Sequence, residues 1–118
     1  MRDTAGRERE AACAARWEAG AWRGATVATE RGESYQILYE GRRGGPSGPD
    51  FRDAILVCAD GSRVLGDVEL HLRASGWRAH GHERDPRYNQ VVLHIVFHPL
   101  APGAPPETRL PTGGAAPI

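Results

Sequence analysis

The sequence predicts an α/β (α+β) fold in the order helix, strand, strand, strand, helical crossover, strand, with a mixed four-stranded sheet. Three observations carry that expectation. A Pro-free, Ala/Arg/Glu-rich stretch opens the chain, two strand-like runs are joined by Asp60-Gly61, and residues 73–90 without strand periodicity precede a last run from Val91 to Phe97. An Asp-Gly pair is a hairpin signal that makes its flanking strands antiparallel neighbours, whereas a connection of a dozen or more residues is what a parallel return needs.

Arg7 to Trp22 reads as a helix ending near Gly20 and Gly24, with Trp17 and Trp22 its large apolar residues among many alanines. Tyr35 to Tyr39 is a short strand bounded by Gly41, and the Gly/Pro-rich stretch from Gly41 to Pro49 is a loop. Ala54 to Ala59 is a nearly continuous apolar run, as in a strand covered on both faces. The next strand, Arg63 to Leu72, alternates Asp67, Glu69 and His71 with Val68, Leu70 and Leu72, which sets an acidic and imidazole face against an apolar one. In the crossover, Ser75 can cap a short helix holding Trp77 and His80, and Asp85-Pro86 can begin a turn through Tyr88 and Asn89. Trp77 and Tyr88 read as core or lid aromatics. Residues 1–98 are thus expected to form one domain, and 99–118 an extended Pro/Gly-rich tail, a continuation of a longer chain.

The chain has 118 residues, fifteen basic and fifteen acidic, so net charge demands no polyanionic partner. Every basic residue is Arg, and chemistry that ordinarily uses a lysine needs a substitute here. Cys13 and Cys58 share no metal-ligand spacing and read as buried reduced thiols. No apolar run approaches the roughly 18 residues of a membrane span and no signal peptide is visible, so a soluble, cytoplasmic protein that keeps clear of membranes is expected.

Two carboxylates in one apolar-backed strand call for a reason, because Asp and Glu are depleted from strands and seldom buried alone. A divalent cation is one reason; a half-exposed strand whose polar face meets water is the other. Asp50 opens the neighbouring strand, and the Asp60-Gly61 hairpin can bring it near Glu69, a pair suited to Mg²⁺; as a residue after Pro49, Asp50 is equally a turn or capping acid. All five histidines lie between His71 and His98. His94 and His98 would share a face of the last strand with Val92 and Val96, and a parallel neighbour would bring His94 toward His71. His82 and His98 read as surface or supporting histidines, while His71, His80, His82 and His94 together could form a zinc site, although no His-Glu-x-x-His spacing is present.

Gly48-Pro49-Asp50-Phe51, Gly66-Asp67-Val68-Glu69-Leu70-His71, Trp77, His80-Gly81-His82, Asp85, Tyr88 and Val92-Leu93-His94, in that order, resemble a bacterial family catalogued as domain of unknown function twenty-eight fifty-one. The resemblance runs from about Trp17 to Phe97, and family members are longer, which implies that this chain is an N-terminal portion or a short variant. More distantly, Pro49-Asp50, Glu69-Leu70-His71 and the αβββαβ order are similar to the PD-(D/E)XK nuclease superfamily, with its restriction-endonuclease-like core. That similarity implies Asp50 and Glu69 as ligands of Mg²⁺ or Mn²⁺, the Leu70 carbonyl as a further ligand, and His71 as a catalytic residue where the family has lysine. Asp67, His80, His82, Asp85, Tyr88 and His94 are expected around that centre. The implied function is metal-dependent hydrolysis of phosphodiesters, with DNA or another nucleic acid as partner. The alternatives are a catalytically inactive nucleic-acid- or protein-binding module of the same fold, and a His-based Zn²⁺-binding module.

Overall fold

The structure is a computed structural model that describes residues 4–118. Its elements in chain order are α1 (Thr4–Glu18), β1 (Thr26–Ala28), β2 (Ser34–Tyr39), β3 (Arg42–Arg43), β4 (Phe51–Cys58), β5 (Arg63–His71), α2 (Ser75–Ala79), two 3₁₀ turns (His82–Arg84 and Pro86–Tyr88), β6 (Val91–Val96), β7 (Glu107–Arg109) and β8 (Ala115–Pro117). The architecture is mixed α+β. Strands β4 and β5 pair antiparallel across the Asp60-Gly61 turn, and β6 returns parallel to β5 after the helical crossover.

The sheet has six strands, not the expected four: β1, β2, β4, β5 and β6 lie in that order, and β3 pairs with β4. The two additions are three and two residues long, too short to show a period of two in the sequence. All of its pairings except β5–β6 are antiparallel. The edge strands β1 and β6 both line an apolar cleft of about 290 Å³ beneath Trp17 and Trp22, so the sheet is strongly curled.

Val68, Leu70, Phe51, Leu56 and Leu93 face α1 and form the main core with Ala14, Trp17 and Ile37. The helix ends at Glu18, short of Trp22, and the chain turns through Gly20 and Gly24, which hold φ of 79° and 84°. Its attachment is partly polar, as Trp17 Nε1 donates to the Glu40 carbonyl at 2.9 Å and Glu10 accepts the N–H of Leu72. Cys13 and Cys58 are free but only half-buried, against the expectation of buried thiols. No described helix is long and apolar enough to cross a membrane.

The other face of the sheet is covered as well. Ser75 is the first residue of α2 rather than its cap, and no side chain caps that turn. Asp85 does cap its 3₁₀ turn, accepting from the Arg87 N–H at 3.0 Å. The tail, expected as an extended segment, contains the β7–β8 hairpin, with Ala116 packed among Trp77, Tyr88 and Val91. Trp77 Nε1 donates to the Arg109 carbonyl at 2.9 Å, fixing the hairpin over α2.

Candidate metal centre

Strand β5 carries the site. Its alternation places Asp67, Glu69 and His71 on the face opposite Val68 and Leu70, as expected, but the face is dry: each of the three is 4 % exposed. Strand β6 adds His94 through a register shift, with Asp67 opposite Val91 and Val68 opposite Leu93. Val92 is the extra residue, and it packs toward the main core. His94 consequently stands beside Glu69 and shares its face with Val91, not with Val92 as simple alternation implies. Gly66 permits this approach, since a Cβ there would lie 2.4 Å from Val92 Cγ1.

The crossover supplies two more imidazoles. His80 follows α2 and His82 opens the first 3₁₀ turn. One ligand nitrogen from each of His71, His80 and His82 lies within 4.8 Å of the others. His71 Nε2 is 3.3 Å from His80 Nδ1 and 3.4 Å from Glu69 Oε2, while His82 Nε2 is 2.9 Å from the same oxygen. His82, read from sequence as a surface or supporting residue, is buried and stacks on Tyr88 with ring centroids 3.8 Å apart. His80 is exposed and forms the solvent side of the cluster. Gly76 lets α2 lie directly on His71, since a Cβ there would come 2.7 Å from the ring.

The electrostatics follow from burial. It holds the imidazole of His71 down to about 3 and those of His82 and His94 down to about 4, so all three are neutral at pH 7. Burial also raises the Glu69 carboxyl far above the ordinary carboxylate range, with the Asp50 charge adding to the effect. The centre gathers lone pairs in a space too dry to keep a net charge unaided. His82 Nδ1 is buried without a hydrogen-bond partner.

Asp50 is beside Glu69, as its hairpin placement anticipates: its N–H donates to Glu69 Oε1 at 3.0 Å, and its Oδ2 accepts from the Leu70 N–H at 2.9 Å. Asp67 faces a different neighbourhood, accepting from the Asp53 N–H at 3.2 Å and lying 3.4 Å from Arg52 Nη1. Asp85 pairs with Arg87 at 2.6 Å and takes no part in the cluster's hydrogen bonds. His98 lies past β6.

Three imidazole nitrogens, with the Glu69 carboxylate beside those of His71 and His82, would suit zinc or another late first-row divalent ion; Mg²⁺ prefers oxygen ligands throughout. Around a tetrahedral zinc with bonds of roughly 2.0–2.1 Å, neighbouring ligand atoms stand about 3.3 Å apart. The separations of 2.9, 3.3 and 3.4 Å about His71 Nε2 and Glu69 Oε2 fall near that edge length. Sequence reasoning missed Thr108, which touches His94 from the tail at 2.7 Å, because nothing in a Pro/Gly-rich stretch signals a buried hydroxyl.

A family model described as "Protein of unknown function (DUF2851)" matches residues 10–100 of the chain. No curated protein and no solved structure matches it.

Proposed function

We propose, from the premise that the chain belongs to the DUF2851 family, that this domain binds one zinc-class divalent ion through His71, His80 and His82, with Glu69 as the fourth donor. The observation that carries the reading is the convergence of those three imidazole nitrogens within 4.8 Å, His71 from β5 and His80 and His82 from the crossover that covers it. Bound there, the ion would supply Lewis acidity and lower the pKa of a coordinated water. The protein's own residues do the rest. Glu69 offers a carboxylate whose negative charge the buried site tolerates only beside a cation, and His80, the exposed ligand, marks the route by which an ion or substrate enters.

Calorimetry on protein stripped with EDTA tests this. One Zn²⁺ per chain is expected, bound far more tightly than Mg²⁺, with affinity reduced in His80→Ala and Glu69→Gln. Tight Mg²⁺ binding that ignores His80→Ala would overturn the zinc reading.

A second reading is favoured by the contact between Asp50 and Glu69 across β4 and β5. Under it the domain is a metal-dependent phosphodiesterase of PD-(D/E)XK type acting on DNA or another nucleic acid, with Asp50 and Glu69 as ligands of Mg²⁺ or Mn²⁺ and His71 in the lysine position. The nitrogen-rich donor set and the engagement of Asp50 Oδ2 with the Leu70 N–H weigh against a Mg²⁺ centre of that kind. Metal-dependent cleavage of DNA by the wild type, lost in Glu69→Ala and in Asp50→Asn, would establish it. Zinc binding without cleavage leaves a metal-holding module of binding or structural purpose.

A further inference from the structure

His71 is the central ligand of the proposed centre, and its other nitrogen is already committed. His71 Nδ1 lies 2.8 Å from His94 Nε2, and His94 Nδ1 lies 2.7 Å from the Thr108 hydroxyl oxygen. His94 is 0 % exposed and Thr108 5 %, so water does not complete either bond. The chain of contacts therefore runs from the C-terminal hairpin, through β6, to the ligand on β5.

A neutral imidazole carries one N–H and one lone pair, and a histidine binds a metal through the lone pair. Two arrangements of protons satisfy the chain. In the first, the Thr108 hydroxyl donates to His94 Nδ1, His94 Nε2–H donates to His71 Nδ1, and His71 Nε2–H points at Glu69. In the second, every bond is reversed: His71 Nδ1–H donates to His94 Nε2, His94 Nδ1–H donates to the Thr108 oxygen, and His71 Nε2 presents a lone pair to the cluster. Only the second allows His71 Nε2 to bind a metal. The second arrangement needs an acceptor for the buried His94 Nδ1–H, and the Thr108 oxygen is that acceptor; without it the N–H would be left unpaired in a place closed to water.

We infer that Thr108 is a positioning residue which, through His94, fixes the tautomer and ring orientation of His71, so that the C-terminal hairpin controls the metal affinity of a centre lying on other elements. The inference rests on the zinc reading above and deepens it. Partners of this kind on ligating histidines set which nitrogen is free and hold the ring in place, and their loss typically weakens metal binding about tenfold to a hundredfold.

Thr108→Val keeps the shape and removes the hydroxyl; Thr108→Ser keeps the hydroxyl. In the full chain, Zn²⁺ affinity by competition with a chromophoric chelator should fall about tenfold to a hundredfold in Thr108→Val and recover in Thr108→Ser. A readout free of metal accompanies it. The ¹⁵N shifts of the His71 and His94 rings in stripped protein should show a different tautomer balance in Thr108→Val, and the wild-type pattern in Thr108→Ser. Equal zinc affinity in wild type and Thr108→Val, with both proteins folded, would overturn the inference and leave the zinc reading standing. Equal weakening in both variants, with unchanged ring shifts, would also overturn it, since the hairpin would then act only as packing. A wild type that binds no zinc defeats the underlying reading, and the inference with it.

Discussion

Asp53 donates its backbone N–H to Asp67 Oδ1 at 3.2 Å while holding a φ of 60°, the one positive value at a non-glycine position among the described residues. The register of β4 on β5 slips between Phe51 and Ala54, so Asp53 sits in a bulge and Asp67 fastens it from the neighbouring strand. This separates Asp67 from Glu69, two residues away on the same face. Asp67→Ala should destabilise the fold by about 0.5–1.5 kcal/mol, the net worth of the lost hydrogen bond, and leave zinc stoichiometry unchanged. Urea denaturation and zinc titration of the same sample check both halves. A variant of wild-type stability that cannot bind zinc would move Asp67 into the site.

Gly76 stands against the His71 ring with no room for a methyl group: a built Cβ lies 2.7 Å from Cδ2, 2.8 Å from Cγ and 3.2 Å from Nε2. The ring cannot retreat, because His94 and His80 contact its two nitrogens. Ala favours a helix over Gly by about 1 kcal/mol, so helix propensity alone predicts that Gly76→Ala is harmless. The contact predicts the opposite at the site, with zinc affinity reduced at least about tenfold by displacement of a ligand. Gly81→Ala is the comparison. It lies at a φ of 71° with nothing within 4 Å, so it should cost about 1–2 kcal/mol of backbone strain and spare the affinity. Similar zinc affinities in the two variants would remove the steric argument.

The sequence makes the face of β5 legible and hides its depth. Alternation of Asp67, Glu69 and His71 with Val68 and Leu70 is a local property and survives in the structure. Whether the polar side meets water depends on what covers it, namely α2 and His82 from the crossover and the distant tail hairpin, and no local pattern in the strand says that they fold back over it. The same limit explains His94. Its approach to His71 follows from a parallel return, but the extra residue at Val92 that aligns it with Glu69 leaves no mark in a run of apolar residues. The hairpin in the tail had a signal, Gly113-Gly114 between Arg109 and Ala115, that the prolines around it obscured.

Because His80 is exposed, its truncation should remove a ligand without disturbing the core. Zinc at a hundred times its dissociation constant should stabilise the wild type by about 2.7 kcal/mol, and EDTA should abolish the gain. His80→Ala should melt like the wild type in EDTA and gain much less from zinc. Thermal scans with and without zinc separate these outcomes. An unchanged zinc-dependent shift in His80→Ala would take that residue out of the centre.

The metal-free protein should have its stability maximum near neutral pH, for reasons of opposite sign. His71, His82 and His94 have folded-state values of about 3, 4 and 4, below the ordinary 6.5. The unfolded chain therefore binds more protons in that interval, and the stability that these histidines contribute is fully present above about pH 6.5 and lost as pH falls toward 4. Glu69 works the other way. Its carboxyl is raised from 4.5, so its contribution is complete below that pH and declines as pH rises through the neutral range. Up to three protons oppose one between pH 4.5 and 6.5, so acid wins there, at roughly 1.4 kcal/mol per pH unit for each net proton. Above about pH 6.5 only the Glu69 slope remains, downward and about half as steep as the acid limb. Urea midpoints measured from pH 4 to 9 in EDTA should rise to about pH 6.5 and then decline about half as steeply. Zinc should flatten the alkaline side, because a cation beside Glu69 removes the preference for its protonated form. A flat profile between pH 4.5 and 6.5 would mean that the three imidazoles are solvated, and the buried centre would have to be abandoned.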